Sequence, residues 1–375
     1  MNAPSPHLRS GWTTGSCATA AAKAAWTTLC TGHTPDPVTI TLPGGKQVAF
    51  ALADHGLTPN GAWAAVVKDA GDDPDVTHGA LIRADVMALP PSSGITFHAG
   101  AGVGTVTRPG LPIPPGEPAI NPVPRAMIRT ALEEVSGPTP DASVTISIAN
   151  GEELAQRTLN GRLGIVGGLS VLGTTGIVVP FSCSAWIDSI RRGIDVARAM
   201  HLPHLAASTG NVSERSVQAL FNLPDAALIE MGDFAGGVLK YVRDHPVPRL
   251  TIAGGIAKMT KLAQGRLDLH SKRGLTDMDA LAKLAKESGA DNALAQRIST
   301  IPTVAEAFLL TTNAGLNLGD AIARQARNVA LDVLNGAPTA LDVLVFDRAG
   351  QCVGQAMDQG WSLDAPHEGQ DRKRR

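Results

Sequence analysis

Beyond about residue 170 the chain settles into one rhythm, and that rhythm constrains the fold more than anything else in it. A strand-length run at 169–172 leads to a loop and a helix-length segment at 184–200. Apolar runs at 204–208, 226–231 and 249–253 then alternate with amphipathic segments at 212–221, 234–243 and 256–263. Strands separated by helices predict a parallel sheet with right-handed crossovers. Ligands in such sheets bind at the carboxyl ends of the strands. Four loops meet that rule: Gly173-Thr174-Thr175-Gly176, Ser208-Thr209-Gly210-Asn211, Met231-Gly232-Asp233-Phe234 and Gly254-Gly255. Glycine lets backbone N–H groups approach a ligand, and it also makes tight turns where no ligand binds. Four such loops on one edge favour a shared cleft. Asn211 and Glu214 have the spacing of a capping box, which would stabilise a helix start with or without a ligand. A helix start also favours anions.

The first part of the chain has a different texture. An Ala-rich helix is predicted over 15–31, with Thr14 or Ser16 at its start. Alternating runs at 38–42 and 47–53 flank Pro43-Gly44-Gly45 and predict a hairpin. Strands follow at 62–68, 79–88 and 94–98, then a Gly/Pro-rich segment at 99–124, a helix at 123–135 and a strand at 144–149. A helical region at 276–335 and a hairpin at 341–347 and 351–356 close the fold. The expected class is α/β: an α+β N-terminal domain (1–160) plus a Rossmann-like α/β/α C-terminal domain with a mostly parallel sheet (161–363). The polar tail, 364–375, is expected to be disordered.

Composition removes several functions. The 375 residues hold 32 Lys plus Arg against 34 Asp plus Glu, a net charge of −2. No general basic field exists for nucleic acid or an anionic membrane. With 5 Trp, 1 Tyr and 7 Phe, stacking platforms for bases are scarce. Residues 163–187 carry no charge over a bilayer-spanning length. Their glycines and Pro180 break them into short runs, so a buried strand–loop–strand is expected there. The four cysteines, Cys17, Cys30, Cys183 and Cys352, form no Cys-x-x-Cys pair. Neither a zinc site nor a disulfide framework is expected, and with no signal-peptide core at the N-terminus the reading is cytoplasmic.

Two motifs invite chemistry. Gly100-Ala101-Gly102-Val103-Gly104 lacks the third glycine spacing of a dinucleotide fingerprint, since Thr105 stands where glycine is needed. The acidic cluster Lys68-Asp69-Ala70-Gly71-Asp72-Asp73-Pro74-Asp75 reads as a general-base or cation-binding site, or as an acidic surface turn shaped by Gly71 and Pro74.

Taken together, these segments resemble the CbiD family, the cobalt-precorrin-5B C(1)-methyltransferases of the anaerobic cobalamin pathway. The resemblance rests on Gly11-Trp12-Thr13-Thr14-Gly15-Ser16-Cys17-Ala18 and the Ala-rich helix after it, on residues 68–77, and on Gly116-Glu117-Pro118-Ala119-Ile120-Asn121-Pro122-Val123-Pro124-Arg125. It continues through Leu159-Asn160-Gly161-Arg162-Leu163-Gly164-Ile165, residues 167–176, Gly210-Asn211 and Gly232-Asp233-Phe234. Trp12 stands where Tyr is usual, and the match is looser beyond about 275.

The resemblance implies S-adenosylmethionine as methyl donor and a cobalt-bearing corrinoid as acceptor, methylated at ring carbon 1 to give cobalt-precorrin-6A. Cobalt enters only as part of the substrate, and no metal held by the protein is expected. On that reading Gly173, Thr174, Thr175, Gly176, Ser208, Thr209, Gly210, Asn211, Gly232 and Asp233 hold the donor. Asp233 would accept from ribose hydroxyls or offset the sulfonium charge. The acceptor's carboxylates fall to Thr13, Thr14 and Ser16 at the first helix start, and to Arg108, Arg125 and Arg162. Each Arg also reads as a loop brace. Asp72 or Asp73 would take a proton. The partner is a small-molecule tetrapyrrole, with no nucleic acid and no membrane; a homo-oligomer and transient contact with neighbouring pathway enzymes are compatible. The alternatives are a non-catalytic tetrapyrrole carrier and a nucleotide-dependent oxidoreductase, the latter opposed by the failed glycine spacing.

Overall fold

The computed structural model describes residues 8–271 and 274–358. The chain divides into two compact units, Met1–Ala185 and Trp186–Arg375. The expected boundary at 160/161 therefore falls inside the first unit.

In the first unit the elements run β1 (Gly11–Trp12), α1 (Thr14–Thr31), β2 (Val38–Thr41), β3 (Gln47–Phe50), β4 (Asp54–Thr58), β5 (Gly61–Val67), β6 (Leu81–Ala88), β7 (Ile95–Ala99), β8 (Thr105–Val106), α2 (Pro122–Ser136), β9 (Ala142–Ile148), α3 (Gly151–Ala155), β10 (Ile165–Val166) and β11 (Ile177–Val178). A five-stranded sheet has the order β4-β5-β6-β9-β7, antiparallel except for the β7–β9 pair. Helix α1 lies against β5 and β6 on one side and α2 on the other. That setting explains its alanines. A helix enclosed on several sides needs small apolar residues nearly all round, and Ala18, Ala20, Ala21, Ala22, Ala24 and Ala25 are each 0% exposed. Thr13 caps its start, accepting the Ser16 N–H at 3.2 Å.

The second unit opens with the body of α4 (Cys183–Ala199). It continues through β12 (Leu205–Ser208), α5 (Asn211–Phe221), β13 (Leu228–Glu230), α6 (Ala235–Asp244), β14 (Arg249–Gly255), α7 (Ile256–Ala263), α8 (Met278–Glu287), α9 (Asn292–Thr300), α10 (Val304–Asn313), α11 (Leu318–Leu334), β15 (Ala340–Phe346) and β16 (Cys352–Ala356). The strand order is β13-β12-β14-β15-β16, with the first four parallel and β16 antiparallel. Chain order reverses direction between β12 and β14, which makes the gap between their carboxyl ends the topological switch point. Ile194, Leu205, Ile252, Ile322 and Val343 pack on one face of the sheet. Ala206, Val217, Phe221, Ala253, Leu344 and Phe346 pack on the other, beneath α5. The parallel sheet, its helices and the closing hairpin stand as expected.

Three expectations change. The run at 169–172 is no strand of the parallel sheet. Leu169 and Val171 make single bridges to Val103 and Ile120 within the first unit. The Asn211–Glu214 capping box does not form. Gly210 is the N-cap and Asn211 the first helical residue, with no side-chain cap. The tail from 364 lies outside the described residues.

Candidate functional site

At the carboxyl edge of the second unit's sheet the structure gathers three loops. Ser208–Asn211 follow β12, Gly232 and Asp233 follow β13, and Gly254–Gly255 end β14. Lys258, in the first turn of α7, ties them together. Its Nζ donates to the Thr209 carbonyl at 2.9 Å and lies 3.0 Å from Asp233 Oδ1. That second approach is an ion pair off the line of a hydrogen bond, so Asp233 Oδ1 is buried with no hydrogen-bond partner among the described residues. Ser208 Oγ is in the same condition. Buried polar atoms are nearly always bonded, so the unbonded Ser208 hydroxyl, on the same edge as an Asp233 oxygen met only by the Lys258 charge, marks a place a polar ligand would complete. Gly254 makes the closeness possible: a Cβ there would meet the Met259 methyl at 2.6 Å and Thr209 at 2.9 Å. A cavity of about 190 Å³ opens over the switch point between Gly210–Ser213, Gly255 and Asp347. A larger hollow of about 330 Å³ lies between α4 and α6. Within it Arg191 pairs with Asp188 and the Tyr241 hydroxyl with Asp195, and it sits beside helices rather than at strand ends.

The other expected donor residues are placed differently. Gly173, Thr174, Thr175 and Gly176 belong to the first unit and follow no strand of the parallel sheet. Their segment closes the start of α1. The Leu172 carbonyl accepts the Gly15 N–H, and the Gly176 carbonyl accepts both the Thr13 N–H (3.1 Å) and the Ser16 hydroxyl (2.8 Å). Consequently Thr13, Thr14 and Ser16 are 7%, 5% and 0% exposed. The Thr13 and Ser16 hydroxyls bond the chain's own backbone and Thr14 is buried beside them, which corrects their reading as carboxylate binders.

Arg108 and Arg125 prove to be loop braces. Arg108 Nη1 donates to the Arg162 carbonyl at 2.8 Å, while Arg125 Nε and Nη2 hold the Ile120 carbonyl (2.8 Å) and Glu117 (3.1 Å). Arg162 is half-buried within the loop Arg108 clasps.

The acidic cluster is a folded turn. Lys68 is 1% exposed and donates to Asp75 and to Thr77 Oγ1. Burial pushes the Asp75 carboxyl up, but the Lys68 ammonium and the Thr77 bonds outweigh it and hold the group below its ordinary value. Asp69 grips Arg9, whose hydrogen bonds pull its carboxyl down to about 2. Asp72 accepts the Arg9 N–H at 2.6 Å and Asp73 the Phe181 N–H at 2.9 Å. Both spend an oxygen anchoring neighbouring segments, a role sequence spacing did not reveal. Cys17 is buried and its thiol pushed up to about 12, mainly by desolvation, so it is no nucleophile. Among the described residues no cluster of His, Cys, Asp and Glu could hold a metal ion, and no helix is long and apolar enough to cross a membrane.

Lys258 and Asp347 escaped the sequence reading. A signal for Lys258 exists: a lysine four residues beyond the first glycine of a strand-end Gly-Gly falls in the first turn of the next helix. Asp347 had no comparable signal, because its place beside the cavity depends on β15 pairing with β14.

Comparison with known proteins completes the description. The CbiD family model matches residues 1–180, and the model of the CbiD C-terminal domain matches residues 268–357. The chain is 58% identical to the cobalt-precorrin-5B C(1)-methyltransferase of Agrobacterium fabrum, over 98% of both chains. It is 57% identical to the proteins of the same name from a Bradyrhizobium species (98% of this chain, 97% of that one) and from Halorhodospira halophila (95% and 96%). A crystal structure of the cobalamin biosynthesis protein CbiD from Archaeoglobus fulgidus is similar at 26% identity, covering 71% of this chain and 83% of that chain, with a TM-score of 0.38.

Proposed function

The chain belongs to the CbiD family, and from that premise we propose that it methylates carbon 1 of cobalt-precorrin-5B with S-adenosylmethionine as donor. The observation that carries the reading is identity of 58% to a cobalt-precorrin-5B C(1)-methyltransferase across 98% of both chains. Insertions or losses large enough to remove a domain are incompatible with that coverage.

The carboxyl edge of the parallel sheet suits the donor. Asn211, Val212 and Ser213 offer backbone N–H groups at an uncapped helix start, Ser208 offers a hydroxyl with no partner among the described residues, and Asp233 offers a carboxylate that Lys258 approaches at 3.0 Å. The donor supplies an electrophilic methyl group on a sulfonium. What the protein contributes is orientation and exclusion of water. Lys258 holds Asp233 in place from 3.0 Å, and the carboxylate accepts from ribose hydroxyls. Asp72 and Asp73 serve the fold of the acidic turn rather than proton transfer. An electron-rich macrocycle carbon attacks without a strong base on the protein.

Incubation with cobalt-precorrin-5B and methyl-labelled S-adenosylmethionine tests the reading. The label is expected on ring carbon 1. A label on another carbon, or donor binding without transfer, overturns it.

A further inference from the structure

Helix α5 begins without a cap. Gly210 occupies the N-cap position, no side chain accepts from the N–H groups of the first turn among the described residues, and the Gly210 carbonyl takes the Glu214 N–H at 3.0 Å and the Ser213 hydroxyl at 2.9 Å. The N–H groups of Asn211, Val212 and Ser213 therefore find no acceptor among the described residues. They stand at the positive end of the helix dipole and border the cavity of about 190 Å³. Glu214, in the same turn, is buried and already engaged.

A second observation lies beneath that turn. Ser208 is 1% exposed, and its hydroxyl has no partner among the described residues. Side chains alternate along a strand. Ala206, two positions earlier on β12, packs with Val217 of α5 and with Ala253, Leu344 and Phe346. The Ser208 hydroxyl thus points to the α5 face of the sheet, under the open helix start. Gly255 and Phe346, each two positions beyond Ala253 and Leu344, continue the same face into the cavity wall. Leaving a buried hydroxyl unbonded is costly unless a ligand completes it.

Opposite the donors stands a carboxylate. Asp347 follows β15 and lines the cavity. Its Oδ1 accepts the Gln351 N–H at 2.8 Å, and Oδ2 has no partner among the described residues. A lone acetate or propionate would be drawn by the helix and repelled by Asp347. A zwitterion meets both. We infer that this pocket holds the α-amino-acid end of the sulfonium donor, its carboxylate on the first turn of α5 and Ser208, its ammonium on Asp347. The inference rests on the donor reading above and specifies which end of that molecule lies where.

Calorimetry on the full chain decides it, with two probes that share a nucleoside. S-adenosylhomocysteine carries the amino-acid end and 5′-methylthioadenosine lacks it. Asp347→Asn keeps the shape and removes the charge. Asn211→Asp places a negative charge where it stabilises a helix but repels a bound carboxylate, so it should melt no lower than the wild type. The wild type is expected to bind S-adenosylhomocysteine the more tightly. Each variant should weaken that probe about tenfold, the size of one lost charge-assisted contact, and leave methylthioadenosine unchanged. Equal losses for both probes, or no loss for either, overturn the inference. So does a raised KM for cobalt-precorrin-5B with donor affinity intact, which would put a macrocycle carboxylate in the pocket. If the wild type binds neither probe, the donor assignment itself falls and the pocket with it, a result distinct from failure of the pocket alone.

Discussion

Charged residues in this protein sort by whether water still reaches them. Asp342 is 0% exposed at the amino ends of the strands, far along β14 and β15 from the candidate site. Arg249 Nε bonds it at 2.6 Å, the Thr251 hydroxyl at 3.2 Å and the Asp358 N–H at 2.9 Å. His204 Nε2 shares the Thr251 hydroxyl at 2.8 Å. Desolvation first, and the Arg249 charge second, lower the His204 imidazole to about 4. The unfolded chain binds that proton near the ordinary value of about 6.5 while the folded chain refuses it, so stability falls as pH drops from there towards 4. Between pH 7 and pH 5 the wild type should lose about 2 kcal/mol through this one residue. Urea unfolding of His204→Gln, which keeps a hydrogen-bonding side chain but cannot charge, should show that loss removed. An unchanged pH slope in the variant would refute the assignment. Nothing in the sequence around His204 announces this behaviour, because Arg249 and Asp342 reach it only through strand pairing.

Elements pack here with little room to spare, and the tightest contacts were invisible to periodicity. Gly319, in the first turn of α11, lies so near β16 that an added Cβ would meet the Val353 carbonyl oxygen at 1.8 Å. Gly319→Ala must push α11 off the strand, and overpacking of that kind typically costs about 1–3 kcal/mol. In a unit of this size the melting temperature should fall by roughly 2–4 °C per kcal/mol. A variant melting with the wild type would show that the helix can shift freely. Helix α1 teaches the complementary lesson. Its alanines announced a helix, but whether its start served a ligand or the chain itself depended on residues 172–176, far away in sequence. Their carbonyls take its N–H groups, and the glycines there serve that close approach rather than a strand-end loop.

Across the whole molecule, each unit has a core of its own. In the second, residues as distant as Ile194 and Val343 join one cluster, whereas α1, the five-stranded sheet and α2 share another in the first. A fragment spanning residues 186–375 is therefore expected to unfold cooperatively and to bind S-adenosylhomocysteine as the full chain does. A fragment with no cooperative transition would show that its core is incomplete. The alternation of strands and helices, the closing hairpin and the glycine-ended strands after 200 could all be read from the chain, because local periodicity and turn chemistry act over a few residues. The family likeness was legible too, since long motifs kept their order. Tertiary structure alone decided that residues 169–176 belong with α1, that Asp72, Asp73, Arg108 and Arg125 brace loops, and that Lys258 and Asp347 flank the strand ends. Those outcomes turn on which distant backbone groups satisfy one another, and hydrogen-bond satisfaction across long separations leaves no mark in local sequence.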